Sequence, residues 1–142
     1  MRLILSALGV AFLTGCTPVM QTPSQTASAN MTEMTLTRGA LSGVLQKIDF
    51  YDSLTPACES QGYPTIRILT QPKNGSIQPA QVEDYSNFKQ DNVRYVCNTK
   101  KVPGTALQYQ SIPGYVGTDI FTIEILTANG GYRKLNYIVN VR

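Results

Sequence analysis

Histidine is absent from this 142-residue chain, and so is tryptophan. Without histidine, neither a Ser-His-Asp triad nor a Cys-His pair can form, and the commonest general base near neutral pH is missing. With three cysteines in all, a zinc site would have to be completed by carboxylates. No glycine-rich phosphate loop occurs. Charge is sparse as well: 12 Lys+Arg against 9 Asp+Glu give a formal +3, far from the basic field of a nucleic-acid binder. Lys100-Lys101 and Arg133-Lys134 read as solvated turns or strand ends. The longest apolar run, Leu3 to Phe12, falls well short of the roughly 20 residues a membrane-spanning helix needs. Adjacent Glu83-Asp84 would point to opposite faces of a strand, so they make no acid/base pair. These absences argue for a non-enzymatic protein with no cofactor, no metal and no nucleic-acid partner.

What is present begins with Arg2, the apolar run, and then Leu13-Thr14-Gly15-Cys16. A positive n-region, a short h-region and small residues before a cleavage point are the parts of a signal peptide. Ending on cysteine, the tetrad resembles the bacterial lipobox. The resemblance implies residues 1–15 as a lipoprotein signal peptide and Cys16 as the lipidated N-terminus, carrying diacylglyceryl and an N-acyl chain such as palmitate. A single acyl chain binds a bilayer reversibly, whereas two or three hold firmly. The residue after Cys16 is Thr17 rather than Asp, which leans toward the outer membrane over the inner.

Assigning Cys16 to lipid leaves Cys58 and Cys97, an even remainder in a compartment that permits disulfides. Residues 16–34 are rich in Thr, Gln, Ser, Ala and Pro without periodicity, and are expected to be a flexible tether. About 18 residues of coil span roughly 23 Å. The domain is expected over 35–142.

From Leu36 onward, short β-type runs alternate with Gly, Pro and Asn. Val44 to Tyr51 alternates partly, and Ile66 and Ile68 share a face. Asn74-Gly75 is a hairpin signal, with the returning strand from Ser76. Val93 to Cys97 and Ala106 to Ser111 read as strands, and Val82 to Phe88 as a loop or helical turn. Phe121, Ile123 and Ile125 alternate with Thr122 and Glu124. Leu135, Tyr137, Val139 and Val141 alternate beyond an Ala128-Asn129-Gly130-Gly131 turn. About seven strands and no helix predict an all-β, antiparallel sandwich.

Two segments resemble bacterial immunoglobulin-like and cadherin-like modules. Gln71-Pro72-Lys73-Asn74-Gly75-Ser76-Ile77 is similar to their Pro-x-Asn-Gly-Thr-Val turn. Tyr109, Pro113-Gly114-Tyr115-Val116-Gly117-Thr118-Asp119-Ile120-Phe121 is similar to their later Tyr/Pro/Gly/Asp/Phe signature. The resemblance implies an immunoglobulin-like fold. Gly114 and Gly117 are expected to turn where a Cβ would clash, Asp119 to accept backbone N–H groups, Phe121 to enter the core, and Tyr115 to form a tyrosine corner.

Eight tyrosines remain to be placed. Tyr95, Tyr109, Tyr115 and Tyr137 fall at core or corner positions. Tyr51, Tyr63, Tyr85 and Tyr132 fall in turns or loops and form a candidate contact patch. The function expected is a lipid-anchored envelope module that binds another envelope protein or braces an assembly. Two alternatives are an inhibitor of a hydrolase such as lysozyme, inserting Pro103-Gly104 or the Asn98 to Lys101 stretch, and a glycan- or peptidoglycan-binding module using the loop tyrosines.

Overall fold

A computed structural model of the chain describes residues 33–142. The expectations for the signal peptide, for Cys16 and for nearly all of the tether lie outside these residues. Seven strands are present: β1 Glu33–Ala40, β2 Gln46–Asp52, β3 Thr65–Thr70, β4 Gly75–Tyr85, β5 Lys101–Ser111, β6 Gly117–Leu126 and β7 Tyr132–Val141. They form a four-stranded sheet in the order β1-β7-β6-β3, facing a three-stranded sheet in the order β2-β5-β4. Lettered in chain order, these are the B-E-D and G-F-C sets of an immunoglobulin-like sandwich. The first strand lies beside the last.

That β1–β7 pairing is parallel, whereas the other ladders are antiparallel. β1 begins at Glu33, so the strand takes up two residues that composition had placed in the tether.

The core follows the period-two pattern. Phe121, Ile123 and Ile125 of β6 and Leu135, Tyr137, Val139 and Val141 of β7 are buried against Leu107 and Tyr109 of β5. Tyr137 stacks on Phe121 at 4.8 Å between centroids, and Tyr109 follows at 6.4 Å. Each such fully buried side chain contributes roughly 1.5–3 kcal/mol.

Three local expectations are overturned. Asn74-Gly75 does not close a hairpin, because β3 pairs with β6 and β4 pairs with β5; the turn instead carries the chain from one sheet to the other. Glycine is needed at 75 because a Cβ there would sit 2.6 Å from the Gln110 carbonyl oxygen and 2.9 Å from the Tyr109 ring. Val82 to Tyr85 is strand, since the long β5 offers partners from Lys101 to Gly104. Val93 to Cys97 is not a strand. Tyr95–Thr99 forms a 3-10 turn, and Val93, Tyr95 and Val96 face solvent, so Tyr95 is not a core residue. No strand among the described residues pairs with this segment, and the Cys58–Cys97 disulfide pins it instead. The partial alternation of β2 has a cause too: a bulge between Lys47 and Asp49 shifts its register.

Candidate functional site

The sandwich has two poles. At one, here the signature pole, the turn before β4 meets the segment before β6. Asp119 is 2% exposed. Its carboxylate accepts the Lys73 N–H at 2.9 Å, the Asn74 N–H at 3.0 Å, the Tyr109 hydroxyl at 3.1 Å and its own neighbour's N–H, Ile120, at 3.1 Å. The Asn74 carbonyl in turn accepts from Ile112 N–H at 2.8 Å. The two signature segments are thus one hydrogen-bonded unit.

Phe121 lies fully in the core. Tyr115 packs against that core, and its hydroxyl donates to the Thr118 carbonyl at 2.9 Å. This is a backbone-bonded corner tyrosine, but its partner lies downstream. Gly114 departs from expectation: a Cβ there meets open space, and the reason for glycine is φ of +82°. At Gly117 both reasons apply, with φ of +148° and the Tyr115 hydroxyl 2.9 Å from the Cβ position. The signature pole holds the fold.

At the opposite pole, the loop after β2, the loop between β4 and β5 and the tip of the β6–β7 hairpin converge. The disulfide Cys58–Cys97 joins the first two loops. Beneath it, a small second core forms from Leu54, Cys97 and Val102, with Phe50, Cys58 and Phe88 packed on it. Asn98 locks the covering loop, accepting from Phe88 N–H at 3.0 Å and donating to the Phe88 carbonyl at 2.9 Å. The stapled loops border a half-open cavity of about 250 Å³ whose walls include Asp52, Ser53, Leu54, Phe88, Arg94 and Arg133.

The charge arrangement in this cavity is unusual. Burial pushes the Asp52 carboxyl above its ordinary range, while its bond from Ser86 Oγ and the charges of Arg94 and Arg133 pull the other way. The Ser86 hydroxyl donates to Asp52 Oδ2 at 2.6 Å. Arg94 Nε donates to the Leu54 carbonyl at 2.6 Å. Ser53 is 4% exposed, and its Oγ has no hydrogen-bond partner among the described residues.

No family model, curated protein or solved structure matches this chain at a significant level. No group of three or more His, Cys, Asp or Glu side chains able to hold a metal occurs among the described residues, and no helix there is long and apolar enough to cross a membrane.

The four candidate tyrosines do not make one patch. Tyr51 is in β2, not a loop. It is half-buried, and its hydroxyl bonds the Tyr137 hydroxyl and Asp49 Oδ2. Asp49 also accepts Arg38 Nη2 at 2.7 Å and the Tyr137 hydroxyl at 2.7 Å, so this cluster ties β1, β2 and β7 together across the sandwich edge. Tyr132 opens β7, donates to Glu124 Oε2 at 3.0 Å, and shares the cavity wall with Tyr51. Tyr85 is exposed at the end of β4 beside a separate open groove, with Lys101 5.9 Å from its ring centroid. Tyr63 is exposed in the loop before β3 and lines neither space.

The inhibitor loops also change character. Pro103-Gly104 lies inside β5, where Gly104 is buried against the Phe50 ring, and Asn98 is committed to Phe88. Asp52, Ser53, Phe88 and Arg94 were not anticipated as site residues; Arg133 is exposed at a strand end as expected, and it also lines the cavity. They come from three separated stretches, and no spacing rule links them.

Burial pushes up the pKa of Tyr51, Tyr109 and Tyr137. A tyrosine held neutral stabilises the fold below its unfolded value of about 10, and that contribution is lost as pH rises beyond it. The expected result is cooperative base unfolding above about pH 10, with the tyrosinate absorbance of the buried residues appearing together with loss of circular dichroism. All eight tyrosines ionising in one step while the dichroism stays native would contradict it.

Proposed function

We propose that this chain is a lipid-anchored, non-catalytic domain of the cell envelope, held by acyl groups on Cys16 at the outer membrane, whose disulfide pole binds an envelope partner. The observation that carries this reading is the recess itself: two loops stapled by Cys58–Cys97 wall a cavity in which the buried Ser53 hydroxyl is left without a partner among the described residues. Native proteins pair buried polar groups, and exceptions call for an explanation such as a binding role. The lipobox, the threonine-rich stretch before Glu33 and the resemblance to immunoglobulin-like modules fit a tethered binding domain. Glu33 lies at the disulfide pole, paired with Lys134 near the start of β7, so the tether would leave beside the site. The hydrolase-inhibitor alternative loses support, because its proposed loops are strand or internally bonded.

Photo-crosslinking tests the proposal. A photoreactive residue at Asn129, on the cavity rim, is expected to capture one dominant envelope component from detergent-solubilised membranes. The same residue at Gln78, on the exposed face of β4, should not. The captured chain should carry acyl mass on Cys16. Equal recovery from both positions would defeat the binding role of this pole.

A further inference from the structure

The cavity at the disulfide pole holds three charged groups and no ion pair among them. Asp52 contacts Ser86, and the salt bridges among the described residues lie elsewhere, at Arg38–Asp49, Lys47–Asp84, Arg67–Glu124 and Lys134–Glu33. Arg94 is anchored through Nε, and its two terminal nitrogens have no protein acceptor among the described residues. Arg133 enters from the start of β7 and makes no side-chain hydrogen bond to the described residues. Leu54, Phe88 and Ile125 add an apolar wall, and Ser53 Oγ stands unpartnered.

Asp52 and Arg94 are half-buried and Arg133 is exposed at the rim; charges drawn partly out of water are costly unless paired. A ligand with one negative end and one positive end would satisfy both sides at once. A simple anion would leave Asp52 facing it, and a simple cation would face two guanidinium groups. At about 250 Å³ the space is smaller than a drug-sized pocket of roughly 300–1,000 Å³, which suits a ligand the size of one residue.

We infer that this cavity binds an α-amino-acid zwitterion, its carboxylate held by Arg94 and Arg133, its ammonium by Asp52, with Ser53 Oγ hydrogen-bonded to it. The zwitterion would be a free amino acid or the end of a diamino-acid side chain in a cell-wall peptide. Arginine suits the carboxylate because its planar fork matches two oxygens. The inference rests on the binding role proposed above for this pole, and deepens it.

Calorimetric titration of the full chain in detergent provides the test. The probes are free L- and D-amino acids with apolar side chains, their N-acetyl and carboxamide forms, and a short peptide ending in a diamino acid. Saturable binding of a free amino acid identifies a free ligand, and binding of the peptide alone identifies a displayed one. Blocking either charge should weaken binding about tenfold or more, the scale of one charge-assisted contact. Asp52→Asn keeps the geometry needed to accept from Ser86 and should abolish the preference for the free ammonium over the N-acetyl form. Arg133→Gln, at an exposed position, should weaken binding about tenfold with thermal stability unchanged. Failure of every zwitterion to bind, equal binding of the N-acetyl form, or an unchanged preference in Asp52→Asn would overturn the inference. If crosslinking at Asn129 still captured a partner, the binding role of the pole would survive that failure.

Discussion

Replacing both Cys58 and Cys97 with alanine is expected to lower the melting temperature by about 15 °C, given about 4 °C per kcal/mol for a domain near this size. The disulfide spans a sequence separation of 39, for which the chain-entropy model gives about 4 kcal/mol. Surroundings add to this figure. Cys97 is fully buried with Leu54 and Val102, so its replacement also thins the smaller core. Against it works Cys58, whose φ of +63° is a left-handed conformation unusual for a side-chain-bearing residue; releasing that restraint returns about 1–2 kcal/mol. Hydrogen exchange should show where the loss falls. Amides of the 53–64 and 86–100 loops should lose protection, while those of the β6–β7 ladder persist under native conditions. A shift below about 5 °C, or uniform loss of protection, would show that the staple does not hold this pole.

Asp119→Ala should be nearly as costly, at about 3 kcal/mol of unfolding free energy. Its carboxylate is the common acceptor for two turn N–H groups, one buried hydroxyl and the Ile120 amide. Removing it orphans the Tyr109 hydroxyl inside the core, with Tyr109 fully buried, and frees the turn that leads into β4. Charge-assisted hydrogen bonds count for about 1.5–3 kcal/mol each, but four sharing one acceptor do not add, and water can reach the exposed side of the turn. Asp84→Ala is the contrasting control. Asp84 also accepts a backbone N–H and pairs with Lys47, yet Lys47 is largely in solvent, so its loss should be below about 1 kcal/mol. Urea unfolding measures both, with a midpoint shift of about 1.5–3 M expected for Asp119→Ala. Equal effects would mean that burial of the acceptor is not what matters here.

The parts of this fold legible beforehand share one property: a single buried face. β6 and β7 each put one row of side chains in the core, so alternation marks them, and the tight turn between them joins neighbours in sequence and in space. The disulfide was legible from parity alone, once Cys16 is set aside for the lipid that the lipobox resemblance implies. Asp119 was recognised as an acceptor of backbone N–H groups. Two of its four donors are in a turn 45 or more residues away, which local reading could not supply.

Asn74-Gly75 and Val93 to Cys97 misled for the opposite reason. Propensity ranks what a segment does beside a willing partner, and neither found that partner. β4 instead found β5, which drew Val82 to Tyr85 into a strand that composition had left as loop. The tyrosines divide in the same way. Tyr51 looked like a loop residue, but the Lys47–Asp49 bulge turns its strand so that its hydroxyl meets Tyr137 and Asp49.

By itself, the chain of residues determined the class of fold, the pairing of its two remaining cysteines and the exclusion of histidine-based catalysis, because these depend on composition, parity and local period. The tertiary structure decided which strands pair, which pole carries the fold and which carries the cavity. Asp52, Arg94 and Arg133 become neighbours only when the end of β2, the start of β7 and the loop between β4 and β5 meet, and contacts between distant segments leave no periodic trace along the chain.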